Sequence, residues 1–226
     1  MKIPANGFTH GGKFHADDVF STALLQIVRP DIKITRGFTV PDDFEGIVYD
    51  VGGGLFDHHS EPRETRPNGV PYAAFGLLWR VLGAQLVGEH QARLMDENFI
   101  QPLDLNDNTG EQNSLADAIG SFNPLWDSKA DPDECFWRAV PVAKTILENE
   151  IAAANAVNRA DGAPGLCQYA GRHCGAARLY ALEKRPLQDR CPLCGISQPA
   201  GRLQRPVRHR PPHQAQQIAL PPGLGG

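Results

Sequence analysis

Two hydrophobic periods alternate along the first 161 residues of this 226-residue chain, and the switching between them outlines strands followed by helices. Residues 3–9 read as an opening strand that runs into a polar segment. Residues 17–28, Asp-Asp-Val-Phe-Ser-Thr-Ala-Leu-Leu-Gln-Ile-Val, carry apolar side chains at helical spacing until Arg29-Pro30 stops them. Residues 32–36 alternate as a short strand does. The apolar run 46–51, bounded by glycines, reads as a strand buried at the centre of a parallel sheet. Further on, 72–86 predicts a buried helix and 89–103 an amphipathic one. Residues 132–161 predict one long helix that begins at Asp131-Pro132 and carries an alanine-rich packing stripe. This order predicts an α/β fold, an open and mainly parallel sheet flanked by helices, with ligands in the crevice outside the strands' carboxyl ends.

Metal-ligand side chains concentrate at those strand ends. Thr9-His10-Gly11-Gly12-Lys13-Phe14-His15-Ala16-Asp17-Asp18 follows the first strand, Asp50 closes the third, and Asp57-His58-His59 comes shortly after. A lone His-His pair is usually structural, but so many imidazoles and carboxylates in apolar surroundings need a neutralising partner, and this donor set suits a hard or borderline divalent ion. Two ions about 3.5–4 Å apart can clamp the attacking and leaving oxygens of a displacement at phosphorus, and such a pair needs a bridging carboxylate. Asp50 is the natural bridge, because the glycines after Val51 let other groups approach. His10 and His15 with Asp50 are expected to hold one ion. Asp17 and His58 with Asp50 are expected to hold the second, joined by Asp107, with Asp104 as the competing choice.

The remaining polar residues take supporting roles. His59 is free to face the scissile phosphate in proton transfer, and Asp57 orients its neighbours by hydrogen bonding. Arg63 and Arg66 are placed on non-bridging phosphate oxygens. Asn68 is a further substrate contact, although it and Arg66 equally suit a turn ahead of the next helix. Asp18, in the first turn of a predicted helix, fits a capping role at least as well as ligation.

These motifs, together with Tyr49-Asp50-Val51-Gly52-Gly53 and Arg66-Pro67-Asn68-Gly69-Val70-Pro71-Tyr72-Ala73-Ala74-Phe75-Gly76, resemble the DHH phosphoesterase superfamily over the first 161 residues. The likeness is to its melanocyte-proliferating-gene branch, also labelled metal-dependent protein hydrolase, and Asp104 to Asn108 resembles that branch's fourth motif. His15 stands where the superfamily's first motif usually has aspartate, as is typical of the branch. The resemblance implies a parallel-sheet catalytic domain, Mn2+ or Mg2+ as cofactor, and 3′-to-5′ exonuclease activity on RNA or short oligonucleotides. The competing expectation is a non-catalytic nucleotide- or RNA-binding module with a structural ion. Protease chemistry lacks a motif here, since neither a His-Glu-x-x-His helix nor a nucleophile elbow occurs.

Charge divides the chain. Residues 1–161 carry 13 Lys and Arg against 24 Asp and Glu, net −11, whereas 162–226 carry 9 against 2, net +7, with nine prolines, nine glycines and four of the five cysteines. The expected organisation is a DHH-like catalytic domain over 1–125, a helical connector over 126–161, and a poorly packed or disordered tail over 162–226. That tail reads as the product of a frameshift near Asp161 that replaces a second, substrate-binding lobe; zinc binding by Cys167, Cys174, Cys191 and Cys194 is the alternative. No apolar run reaches 18 residues and no secretory leader is recognisable, so no membrane partner is expected and the cytoplasm is the expected compartment.

Overall fold

The computed structural model describes residues 1–59 and 62–161. Three parallel strands form the sheet, β1 (Asn6–His10), β2 (Lys33–Gly37) and β3 (Ile47–Val48), in the order β2-β1-β3. Gly7 pairs with Ile34 on one side and Ile47 on the other. The helices that flank the sheet complete the α/β architecture. The 46–51 run contributes only two ladder residues, because Asp50 adopts φ 58° and turns the chain out of the sheet, while Tyr49 bridges to Phe56. Gly52 and Gly53, at φ 85° and 69°, extend that turn through backbone conformations glycine adopts without a Cβ penalty.

Helix α1 (Ala16–Val28) crosses from β1 to β2 and is buried from Ala16 through Leu25. Such all-round burial is why Asp17, Asp18, Ser21 and Thr22 sit inside. Thr22 is satisfied locally, donating to the Asp18 carbonyl at 2.9 Å or meeting the Tyr49 hydroxyl at 2.6 Å. The two aspartates need another account, given below.

Helix α2 (Ala74–Met95) takes in most of the helix expected over 72–86 and the first half of the one expected over 89–103, whose remainder continues beyond Met95; the two meet at Gly88, whose φ of 74° breaks the helical path. Asn155 and Asn158 of the long helix α5 (Pro132–Asp161) donate to the Leu86 and Val87 carbonyls at this break, at 3.1 and 2.8 Å. A π-helical turn, Asp96–Ile100, then leads into α3 (Gln101–Thr109), which is followed by α4 (Ser114–Gly120), capped by the Asn113 side chain. No element was expected over α4. Phe136, Ala139, Val140, Ala143 and Leu147 of α5 recur at helical spacing and are buried against the common core with Phe14, Phe20, Phe75 and Leu78. The expectations for 162–226, including the frameshift and the cysteine site, lie outside the described residues.

Candidate metal centre

Four segments deliver the site to one end of the parallel sheet. His10 ends β1, His15 and Asp17 open α1, Asp50 follows β3 and His58 comes from the loop after it, while Asp107 projects from α3. His10 Nε2 lies 3.0 Å from Asp18 Oδ2 and 3.1 Å from Asp50 Oδ2. His58 Nε2 lies 3.0 Å from Asp50 Oδ1, 3.2 Å from Asp107 Oδ2 and 3.7 Å from Asp17 Oδ2. His15 Nδ1 reaches Asp107 Oδ1 at 3.3 Å. The two oxygens of Asp50 therefore serve different partners, His10 on one side and His58 on the other.

The grouping differs in detail from the sequence expectation. Asp18 joins His10 and Asp50, and His15 groups with Asp17 and Asp107 instead of with His10. Asp18 also caps: its Oδ1 accepts the His15 backbone N–H at 3.1 Å while Oδ2 faces His10. One carboxylate thus does both jobs that the sequence offered as alternatives.

Electrostatics show what the arrangement is suited to hold. Asp17, Asp18, Asp50 and Asp107 crowd three imidazoles, and both oxygens of Asp17 are buried without a hydrogen-bond donor. Burial, followed by the charges of Asp50, Asp107 and Asp18, raises the Asp17 carboxyl well above the usual range. Burial of His10 opposes its protonation, but Asp18 and Asp50 outweigh this and raise it to about 10. Burial likewise opposes ionisation of Asp50, which His10 and His58 nevertheless hold at about 2. Excess buried negative charge with imidazole at hand is the donor set a divalent cation satisfies, so the residues present fit a metal.

At the mouth, His59 is largely exposed and its Nδ1 lies 2.7 Å from Asp57 Oδ1 and 3.8 Å from Asp50 Oδ1. Asp57 also accepts the backbone N–H of Gly53 at 2.6 Å and of His59 at 3.1 Å; although burial raises its carboxyl, these donors lower it below the usual range. Arg63 lies 3.4 Å from the side-chain oxygen of Asn108, the same atom that lies 3.4 Å from His58 Nδ1.

Arg66 is not brought to the cluster. It is buried, donating to Asp96 at 2.8 and 2.6 Å, to Asp104 at 2.7 Å and to the Pro71 carbonyl at 3.0 Å, with its guanidinium 3.9 Å from the centre of the Tyr72 ring. A phosphate-holding role does not fit a guanidinium so fully engaged by protein acceptors. The same pairing removes Asp104 from contention as a ligand: its oxygens take Arg66 and the Gly76 N–H, and Asp107 one turn later faces the histidines. Asn68 also stays away from the cluster, bonding Gln101 at 2.8 Å and the Val70 N–H at 3.2 Å around a turn at Gly69.

Asn108, which lies within the 104–108 motif but has no role legible from it, and Arg36 also sit at the site. Arg36 of β2 is buried behind the site, donating to the Gly12 carbonyl at 3.0 Å, pairing with Asp133 of α5, approaching Asp18 at 4.0 Å and packing 4.1 Å from the Phe136 ring centre. Its only sequence signal is a cation in the alternation of 32–36.

Residues 8–163 match the family described as Uncharacterised protein family (UPF0160), named for a MYG1 exonuclease. The chain belongs to the MYG1 family. Within it, the chain is 30% identical over 177 aligned residues to a MYG1 protein of Schizosaccharomyces pombe, an alignment covering 58% of this chain and 53% of that protein. The chain thus spans about half the length of this MYG1 relative. No solved structure matches it. Among the described residues no helix is long and apolar enough to cross a membrane.

Proposed function

We propose that this MYG1-family chain is a metal-dependent phosphoesterase of the DHH type, a 3′-to-5′ exonuclease on RNA or short oligonucleotides that uses two divalent ions, manganese or magnesium, and acts in the cytoplasm. The observation that carries the reading is the division of Asp50, with one oxygen toward His10 and the other toward His58. His10, Asp18 and Asp50 would hold one ion; Asp17, His58, Asp107 and Asp50 would hold the other. Divalent ions held by these residues would lower the pKa of a bound water and offset negative charge developing at phosphorus.

The chain's own groups complete the chemistry. Asp57 accepts a hydrogen bond from His59 Nδ1–H, which fixes the tautomer and leaves Nε2 as the ring nitrogen for substrate, suited to exchanging a proton with the departing oxygen. Lys13 lines the same cleft and offers an ammonium to a non-bridging phosphate oxygen. Arg63, beside Asn108, is a second cation near the His58 side of the mouth.

The test is hydrolysis of single-stranded RNA and of small phosphodiesters by the full chain with added manganese. Product should vanish on chelation and on Asp50→Asn. Activity that survives both would sink the assignment, and metal-dependent RNA binding without product would favour a non-catalytic binding module instead.

A further inference from the structure

An exposed aromatic ring that the metal chemistry does not use rests on the loop between His10 and His15. Phe38 is 83% exposed, immediately after the end of β2. Its position is tightly determined. The Gly11 N–H donates to the Gly37 carbonyl at 2.8 Å, which ties the end of β2 to the loop that carries His10 and His15. A Cβ on Gly37 would come within 2.9 Å of the Phe8 ring, so the strand end lies hard against the core and the next side chain emerges outside it. A Cβ on Gly12 would lie 3.3–3.4 Å from two atoms of the Phe38 ring, so the ring rests on bare glycine backbone.

Two residues further on, Val40 sits against the second glycine loop, where a Cβ on Gly52 would meet it at 3.0 Å. Segment 38–40 therefore spans the two loops that bring His10 and Asp50 to the site. The cleft between them, about 510 Å³, is lined by His10, Lys13, His15, Asp50, Gly52 and His59. An apolar ring held on its inner side by glycine and open on its outer side is suited to a flat, apolar-faced group carried by whatever phosphate enters the cleft.

We propose that Phe38 is a stacking platform for a nucleobase of the substrate, which makes this a site for nucleotide phosphoesters of any base and not for sugar phosphates or other base-free esters. The proposal rests on the phosphoesterase reading above. Every base offers a π-face to an aromatic ring, so a stack of this kind gives affinity without sequence preference. The cleft itself, whose lining also includes Val51 and Asp57, offers no Phe, Tyr or Trp ring on which a base could stack.

The experiment compares the full chain with Phe38→Ala and Phe38→Trp on a dinucleotide and on the same phosphodiester lacking the base. Phe38→Ala is expected to raise KM for the dinucleotide about tenfold with kcat little changed, to leave the base-free ester unaffected, and to be rescued by Phe38→Trp. No effect on the dinucleotide, or an equal loss on both substrates, overturns the stack. If the unaltered chain hydrolyses neither, the phosphoesterase reading fails separately. Calorimetry with manganese, a nucleoside 5′-monophosphate and ribose 5-phosphate then decides: a preference for the nucleotide that Phe38→Ala abolishes supports the platform, and equal affinities overturn it.

Discussion

His10 Nε2 lies 3.1 Å from Oδ2 of Asp50, and the contact stabilises the charged form of both groups. His10 is raised from 6.5 to about 10 and Asp50 is lowered from 3.8 to about 2. For His10 the stabilisation is complete below about 6.5 and is lost as pH rises through about 10; for Asp50 it is present above about 3.8 and is lost as pH falls through about 2. Asp17, raised by burial, keeps its proton in the folded chain after the unfolded chain has lost it, so it too makes stability fall with rising pH. Chelated protein is therefore expected to melt at lower temperature at pH 9 than at pH 6. Saturating manganese should reverse much of that loss, since ligands must shed protons to bind. A metal-free melting temperature that rises across this interval would contradict the assignment of charge.

Asp50→Asn separates charge from backbone. Asn tolerates the left-handed conformation that Asp50 adopts at φ 58°, whereas a residue such as Ala there costs about 1–2 kcal/mol. The Asn variant should keep its fold by circular dichroism yet lose bound metal and lose activity by about a thousandfold, because the carboxylate proposed to bridge the two ions no longer carries charge. Metal content measured by plasma emission and unchanged from the parent would contradict the bridging role.

Asp104 and Asp107, three residues apart on α3, should fail differently. Asp107→Asn is expected to weaken metal binding with little loss of stability. Arg66→Ala should destabilise the fold by about 3–5 kcal/mol in urea titrations, since it leaves the buried Asp104 without its cation. Burial, opposed by Arg66, places Asp104 at about 7, so loss of the guanidinium should also leave that carboxyl protonated at neutral pH. Metal affinity of folded Arg66→Ala should match the parent; a large drop would restore Arg66 to the site.

Gly76 of α2 backs this pair, with room for nothing larger: a Cβ there would fall 1.9 Å from Asp104 Oδ2 and 2.5 Å from Arg66 Nη2. Gly76→Ala is expected to cost at least about 1–3 kcal/mol by overpacking, in spite of the better helix propensity of alanine. A thermal melt at or above that of the parent would show that the pair can shift to make space.

Much of this was legible one segment at a time. Residues 17–28 announced a helix by apolar spacing and by Arg29-Pro30, and 132–161 did the same over thirty residues, because local periodicity and chain-breaking residues act within a few positions. The chemistry of His10, His15, Asp50 and His58 was legible from residue type beside predicted strand ends. Position 50 shows where that kind of reading stops: the run 46–51 looks like six strand residues, and only the packed structure turns Asp50 out of the sheet into a left-handed conformation.

Arg66 and Asp18 draw the same boundary. Sequence establishes that one is a guanidinium and the other a carboxylate, each beside a motif. Asp96 and Asp104 lie 30 and 38 residues from Arg66, and the His10 that meets Asp18 comes from the strand before its helix. The sequence by itself determined the long helices 17–28 and 132–161 and which segments concentrate imidazole and carboxylate groups. The tertiary structure decided which of those groups share a cavity and which neutralise one another in the core, because electrostatic partnership depends on distance through space and a parallel sheet brings together loops that are far apart along the chain.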